Sequence, residues 1–331
     1  MPKPELIFPK KTWQHQLAHC IQSLPELYEY IQLEPPADFL NQALDFPIKT
    51  THAFANRIQK NNPNDPLLLQ ILASPSEFLI TENFYKDPLE EKKFNPLPGV
   101  LHKYKNRILI MLHGQCAIHC RYCFRRNFPY SENQPSATQF EKILEYLNQN
   151  PDISEVIFSG GDPLIISDHR LSDIFKQLRK INSLQRIRFH TRIPVVLPDR
   201  ITPEFTQILS QAPAPLVITL HVNHAQEIDA SVRAALSSLK PHAILLNQAV
   251  LLKNINNNLQ TQINLHQTLF QCGVLPYYLH LLDKVQGTAH FDIPEQEALE
   301  LIQQLQANLP GYLVPKLARE IPGKPSKTTY I

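Results

Sequence analysis

From about residue 107, short β-rich runs alternate with segments of helical periodicity, and this alternation constrains the fold more than any other feature. Six runs predict strands: RILIMLH, EVIFSGG, IRFHTR, LVITLHV, ILLNQAVLL and LPYYLHLL. Helices are predicted for ATQFEKILEYLNQN, SDHRLSDIFKQLRKI, TPEFTQILSQ, AQEIDASVRAALSSLK and PEQEALELIQQLQANL. Strands that alternate with helices indicate a parallel sheet with crossover helices. Six such units predict an α/β fold, an open or partial (β/α)6-type barrel.

Chemistry in such barrels lies at the carboxyl ends of the strands. Polar residues stand at those positions here: Cys116, Ser159 to Asp162, His190 to Arg192, His221 to His224, and Asp283. We therefore expect one site at this end of the barrel.

The first hundred residues predict a different organisation, mainly helical and irregular. TWQHQLAHCIQSLPELYEYIQL (12–33) has apolar residues at helical spacing, and NNPNDPLLLQILAS (61–74) reads as a turn followed by a short helix. FNPLPGVLHKYKNR (94–107) reads as a Pro/Gly-rich connector. We expect an N-terminal helical extension over 1–100 and a core over 101–331.

Charge and hydropathy indicate no nucleic-acid or membrane surface. Lys and Arg number 32 against 30 Asp and Glu, a net charge of +2. No stretch approaches the roughly 18 apolar residues of a membrane helix, and the basic N-terminus lacks the apolar run of a secretory signal. We expect a cytoplasmic protein.

The motif C-A-I-H-C-R-Y-C, with Cys116, Cys120 and Cys123, is the most specific local signal. Clustered thiolates in a reducing compartment serve metals or catalysis. Three thiolates on a four-iron cluster leave one iron open for a small ligand such as S-adenosylmethionine. A structural zinc site with His113 or His119 as fourth ligand is the alternative, as are three core cysteines. Cys20 and Cys272 are isolated, and we expect both to be small buried apolar residues.

Ser159-Gly160-Gly161-Asp162 follows a predicted buried strand. Two glycines allow close approach of a backbone to a ligand, which favours a cradle for the amino group of S-adenosylmethionine. A tight turn is the alternative. His221 and His224 are candidates to line the same site.

Several longer motifs give the chain a family resemblance: LPGVLHKYKNRIL, CAIHCRYCFRR, FSGGDPL, HTRIPVVLPDRIT, HVNH, LNQAVLLK and GYLVPKLAREIPGKPSK. From about residue 46 to the C-terminus, the chain resembles the lysine 2,3-aminomutase family of radical S-adenosylmethionine enzymes. It is most similar to the short branch that makes β-lysine for elongation factor P, since it ends only four residues past Lys327. The resemblance implies a [4Fe–4S] cluster, S-adenosylmethionine, pyridoxal phosphate, L-lysine as substrate and a downstream lysyl-ligase.

The resemblance also implies roles for single residues. Lys327 matches the lysine that binds pyridoxal phosphate, with Lys324 and Lys316 as competitors. Arg125 matches the arginine that receives the substrate carboxylate, with Arg126 as the alternative.

Asp283 and Glu320 match the carboxylates that receive the ε-ammonium of lysine. The family usually has aspartate where this chain has Glu320, and the neighbouring Lys284 is a possible partner for Asp283. Arg107 is assigned to pyridoxal phosphate, and Arg192 and Gln248 to either cofactor.

The implied reaction is abstraction of a hydrogen from C3 of lysine and migration of the amino group from C2 to C3. Two alternatives stay open. One is a 2,3-aminomutase for another amino acid, such as glutamate or ornithine. The other is a non-catalytic zinc or iron–sulfur protein that acts on translation factors by contact.

Overall fold

The computed structural model describes residues 12–36, 44–133 and 135–330; the N-terminal residues considered for a secretory signal lie partly outside these ranges. The strands are β1 (Val100–Tyr104), β2 (Arg107–His113), β3 (Glu155–Gly160), β4 (Arg186–Thr191), β5 (Leu216–Leu220), β6 (Ile244–Val250), β7 (Leu275–His280), β8 (Lys316–Arg319) and β9 (Thr328–Tyr330). The helices are α1 (Trp13–Ala18), α2 (Leu24–Ile31), α3 (His52–Ala55), α4 (Ala137–Gln149), α5 (Asp168–Leu178), α6 (Ile193–Val196), α7 (Pro203–Leu209), α8 (Ala230–Leu239), α9 (Leu259–Gln271) and α10 (Glu295–Asn308). Short 3-10 helices cover Pro75–Phe78, Glu91–Phe94, Tyr130–Glu132, Pro163–Ile165, Pro198–Arg200, Ala225–Glu227, Ala289–Phe291 and Gly311–Leu313.

The nine strands form one sheet in the order β1 to β9. Strands β2 to β8 are parallel, while β1 and β9 pair antiparallel at the two edges. The six predicted strands are confirmed as β2 to β7, and so is the partial α/β barrel. All of β3 is buried, as its apolar run predicts.

Three strands were missed, and the 94–107 connector was predicted wrongly because it contains β1. Its Pro/Gly-rich start is real, since Gly99 has a φ of +82°, but the chain then pairs with β2. Strands β8 and β9 have only four and three residues, too few to show an alternating pattern.

The five predicted helices are confirmed as α4, α5, α7, α8 and α10, but α9 was missed. Its sequence LQTQINLHQTLFQ is rich in polar residues, and it begins at the N-cap Asn258, whose side chain accepts from Thr261 N. The short helix predicted after residue 65 is wrong. Asp65 Oδ1 accepts from the amides of Leu67 and Leu68 at 2.8 and 3.0 Å, and this holds the segment in turns.

The N-terminal region is helical over 12–33, in two helices separated where Ile21 bridges to Thr50. Its buried residues, from Ile21 to Ala73, belong to the same hydrophobic core as the strands and helices of the barrel. The predicted boundary at residue 100 falls at the first residue of β1. Cys20 and Cys272 are buried, as expected. Among the described residues, no helix has the length and apolar character needed to cross a membrane.

Candidate active site

A cavity of about 450 Å³ opens at the carboxyl ends of the parallel strands, a volume typical of small-molecule sites. It brings together every residue assigned to the site from the sequence: Cys116, Cys120, Cys123, Ser159, Gly160, Gly161, Asp162, Arg107, Arg125, Arg192, Gln248, Asp283, Glu320 and Lys327. His221 also lines it. The competitors Lys316, Lys324 and Arg126 do not, and neither does His224, whose Nδ1 accepts from Gln226 N at 3.2 Å.

The loop that carries the cysteines leaves β2 and is held by the N-terminal segment. The Lys49 carbonyl accepts from His119 N at 2.8 Å, and the Gln70 carbonyl accepts from Arg121 N at 2.9 Å. The fully buried Arg121 guanidinium forms a double hydrogen bond with Glu77 at 2.8 and 2.6 Å. Residues far upstream in the chain therefore fix the shape of the loop.

The contacts of His113 and His119 argue against a zinc site. His119 Nδ1–H donates to the Pro47 carbonyl at 2.9 Å, and His113 Nδ1 accepts from Gln115 N at 3.0 Å. Neither imidazole lines the cavity with the thiols. Over the described ranges, no three His, Cys, Asp or Glu side chains converge on a position for a single ion.

Arg192 connects the Cys120 thiol to a buried polar network. Its Nη1 donates to Cys120 Sγ at 2.7 Å, and its Nη2 donates to Gln70 Oε1 at 2.6 Å and Glu227 Oε2 at 3.0 Å. Burial alone would raise the pKa of Glu227, but the Arg192 charge lowers it. Arg192 is thereby placed to donate to a sulfur ligand of a cluster.

The two glycines of the SGGD motif lie against the backbone of the cysteine loop. A Cβ on Gly160 would be 2.4 Å from the His113 carbonyl oxygen, and one on Gly161 would be 2.2 Å from that of Gln115. The same two carbonyls accept from Gly161 N and Asp162 N at 2.7 and 2.8 Å. Glycine is thus required here for strand-to-loop packing, and the pair also lines the cavity.

Arg125 is buried and paired with Glu91, a residue that no motif of the sequence selects. Its Nε and Nη2 donate to the two Glu91 oxygens at 2.8 and 2.7 Å. Its Nη1 donates to Ser159 Oγ at 3.3 Å. Two donors are committed to Glu91, so Nη1, which contacts Ser159, is the end of the guanidinium that no carboxylate engages.

Lys327 and Glu320 form an ion pair inside the cavity, with Lys327 Nζ 2.5 Å from Glu320 Oε2. The other oxygen of Glu320 accepts from Tyr104 Oη at 2.7 Å and from Lys103 Nζ at 3.2 Å. Burial alone would raise the pKa of Glu320, but Lys327, Tyr104 and Lys103 together lower it to about 2. Glu320 is therefore ionised at neutral pH.

Asp283 lines the same cavity in a different setting. Lys284 does not pair with it, because Lys284 Nζ lies 3.6 Å from Asp292 Oδ2. Burial raises the pKa of Asp283 to about 7, despite an opposing effect of Lys327. A cation at this position would favour the charged carboxylate.

Cationic and unpaired polar groups line the cavity near Lys327. The Arg107 guanidinium lies over the Tyr104 ring at 4.1 Å from its centroid. Arg188 also lines the cavity, and it donates to Glu155 Oε1 at 2.9 and 2.6 Å. His190 Nε2 is buried without a hydrogen-bond partner in the described structure. An amine beside cations and an unused imidazole nitrogen suits an anionic aldehyde cofactor, and the three free thiols suit an iron–sulfur cluster.

The partial barrel, with three thiols in the loop after its first parallel strand, defines a radical S-adenosylmethionine enzyme. The family model of the Radical SAM superfamily matches residues 110–244. The chain is 46% identical to L-lysine 2,3-aminomutase of Haemophilus influenzae over 335 aligned residues, covering 100% of this chain and 98% of that protein. It is 44% identical to the Escherichia coli enzyme of the same name, covering 96% and 94%, and 33% identical to that of Bacillus subtilis, covering 94% and 67%.

At these identities the chain belongs to the L-lysine 2,3-aminomutase family. It is an isomerase of the radical S-adenosylmethionine type. Its cofactors are a [4Fe–4S] cluster, S-adenosylmethionine and pyridoxal phosphate, as the resemblance implies.

Proposed function

We propose that this protein converts L-lysine to β-lysine. The observation that carries the proposal is one cavity that holds three thiols, an amine and two carboxylates: Cys116, Cys120, Cys123, Lys327, Asp283 and Glu320. The names of relatives at 46% and 44% identity support the same substrate. Carboxylates at one end of a cavity favour a cationic side chain over that of glutamate.

We propose that Cys116, Cys120 and Cys123 hold the cluster and that Lys327 holds pyridoxal phosphate. When bound, the cluster and S-adenosylmethionine supply the radical, and pyridoxal phosphate carries the migrating amino group. Ser159 to Asp162 and His221 line the thiol side of the cavity and contribute to S-adenosylmethionine binding. Arg107 binds the phosphate of pyridoxal phosphate, and Gln248 and Arg192 contact either cofactor.

Arg125 binds the substrate carboxylate through Nη1, and the cationic end of the substrate lies on the side of the cavity that Asp283 and Glu320 line. Holding both ends aligns one C3 hydrogen with the radical, and such alignment lowers barriers by several kcal/mol. No acid–base pair of the protein is needed for the rearrangement itself.

We propose further that the product serves elongation factor P through a downstream lysyl-ligase, and that the protein works in the cytoplasm. Support comes from the higher identity to relatives that this chain covers over 98% and 94% of their length. We propose residues 1–100 as an extension that supports the core over 101–331.

The proposal is tested with anaerobically reconstituted protein, S-adenosylmethionine, a reductant and L-lysine, glutamate or ornithine in parallel. We expect β-lysine from L-lysine, and a pyridoxyl group on Lys327 after borohydride reduction. Cys123→Ala is expected to abolish iron binding and turnover, while Cys272→Ala, a buried cysteine outside the cavity, leaves both unchanged. Faster turnover of glutamate or ornithine would overturn the substrate assignment.

A further inference from the structure

The two carboxylates of the cavity have different partners. Both oxygens of Glu320 are already engaged, Oε2 by Lys327 and Oε1 by Tyr104 and Lys103. Asp283 has no donor within hydrogen-bond distance among the described residues. A cationic ligand therefore meets Glu320, whose two oxygens already accept hydrogen bonds, and Asp283, whose oxygens are free to accept.

The contact between Glu320 and Lys327 is built into the fold. Strands β8 and β9 are antiparallel, with Arg319 opposite Thr328, so the next position places Glu320 opposite Lys327. Residues opposite each other across an antiparallel pair have adjacent side chains. An aspartate at position 320 would be shorter by one methylene, about 1.5 Å, so Lys327 Nζ would have to move to keep the contact.

The order of events makes this contact a functional one. A substrate amine that takes the place of Lys327 on the cofactor forms one carbon–nitrogen double bond while another breaks. With each imine protonated at nitrogen, the substrate α-ammonium gives one proton to solvent and one to the leaving nitrogen. The freed Lys327 amine then takes up one proton from solvent, so the exchange balances. The freed Lys327 and the ε-ammonium of the substrate are then present at the same time.

Resting on the proposed function, in which Lys327 carries the cofactor, we propose that the two carboxylates divide these two cations. Glu320 receives the displaced Lys327 amine and is a positioning residue for amine exchange. Asp283 alone receives the ε-ammonium of the substrate. Glu320, which stands where the family usually has aspartate, thus binds Lys327 of the protein and not the ε-ammonium of the substrate lysine.

The test measures amine exchange without turnover. Holoenzyme with its cluster and pyridoxal phosphate, but without S-adenosylmethionine and reductant, is mixed with L-lysine or with norleucine, which has the same chain without the ε-amine. Borohydride then fixes the cofactor where it stands. Mass spectrometry gives the fraction on Lys327 and the fraction on the amino acid, and hence the concentration that displaces half.

Glu320→Gln is expected to raise the half-displacing concentration about tenfold or more for lysine and norleucine alike, because a charged hydrogen bond to the freed amine is lost. Asp283→Asn is expected to raise it for lysine only. Glu320→Asp keeps the charge and is expected to show a smaller rise for both. The control variant is Glu295→Gln, since the Glu295 carboxylate accepts from Arg319 and Tyr330 of the same hairpin, at 2.8 Å each, outside the cavity. Its half-displacing concentrations should stay within twofold of those of the wild type.

An effect of Glu320→Gln that appears with lysine and vanishes with norleucine would overturn the proposal, because Glu320 would then be an ε-ammonium ligand. A raised half-displacing concentration of norleucine in Asp283→Asn would also overturn the proposal, because the role of Asp283 would then not depend on the ε-ammonium. Trapping of the wild-type cofactor at a residue other than Lys327 is a separate result, which overturns the lysine assignment of the proposed function.

Discussion

Glu91→Gln leaves the Arg125 guanidinium buried without its counter-charge, and we expect a large loss of stability. The side chains of Arg125 and Glu91 are 9% and 6% exposed, and two hydrogen bonds join them. Loss of one partner of a buried ion pair typically lowers the free energy of unfolding by about 3–5 kcal/mol. The fork geometry and low exposure place this pair in that range.

A second test replaces both charged residues of the pair in one protein, Glu91→Leu with Arg125→Met. Removal of both charges takes away the desolvation penalty together with the attraction, so the double variant should be more stable than Glu91→Leu alone or Arg125→Met alone. Urea unfolding of the cluster-free protein under anaerobic, reducing conditions, followed by circular dichroism, measures all three. A matched control is Glu90→Gln, since Glu90 pairs with Lys93 at the surface, where the side chains are 45% and 66% exposed; its loss should be under about 1 kcal/mol.

A loss of less than about 1 kcal/mol for Glu91→Gln would refute this account, because it would place the pair among surface ion pairs. Additive losses in the double variant would refute it as well. They would mean that each side chain stabilises the fold through other neighbours.

Two further predictions concern the charge of Asp283 in the cavity and the packing of Gly161 against the cysteine loop. Because the pKa of Asp283 is raised to about 7 by burial, its carboxyl becomes neutral as the pH falls through that value. In the borohydride assay the ratio of the half-displacing concentration of lysine to that of norleucine should therefore rise as the pH falls, and Asp283→Asn should lose this rise. Gly161→Ala places a Cβ 2.2 Å from the Gln115 carbonyl oxygen and should lower the free energy of unfolding by roughly 3 kcal/mol. Gly311→Ala, with no atom within 4 Å of the added Cβ, should change it by under about 0.5 kcal/mol in the same urea assay.

The periodic parts of the fold could be predicted from the sequence, and the edges could not. Strands β2 to β7 are apolar runs that alternate with helical segments. Strands β8 and β9 have only four and three residues, and β1 directly follows a Pro/Gly-rich stretch. Helix α9 was missed because its buried face is built partly from Gln262 and His266, which carry no hydrophobic signal.

Cys116, Ser159 to Asp162, Arg192 and Asp283 could be predicted from a general rule, since the carboxyl ends of parallel strands meet in one place. Arg107, Arg125, Gln248, Glu320 and Lys327 could be predicted only through the family resemblance. The ion-pair partners of the site arginines could not be predicted from the sequence. Glu91 and Glu227 lie on short 3-10 helices outside the strand-end positions, and their roles depend on which buried arginine each one meets. The pairing of Glu320 with Lys327 depends on a hairpin whose strands are too short to recognise from the sequence, although Lys103 and Tyr104 belong to the motif LPGVLHKYKNRIL.

The hold of the N-terminal segment on the cysteine loop has a consequence for how the enzyme matures. Lys49 and Gln70 accept from backbone amides of the loop, and Glu77 closes on Arg121. These residues precede the thiols in the chain, so synthesis delivers them first. The loop has this shape where that segment packs against it, so we expect the cysteines to reach their final arrangement only after the segment has docked.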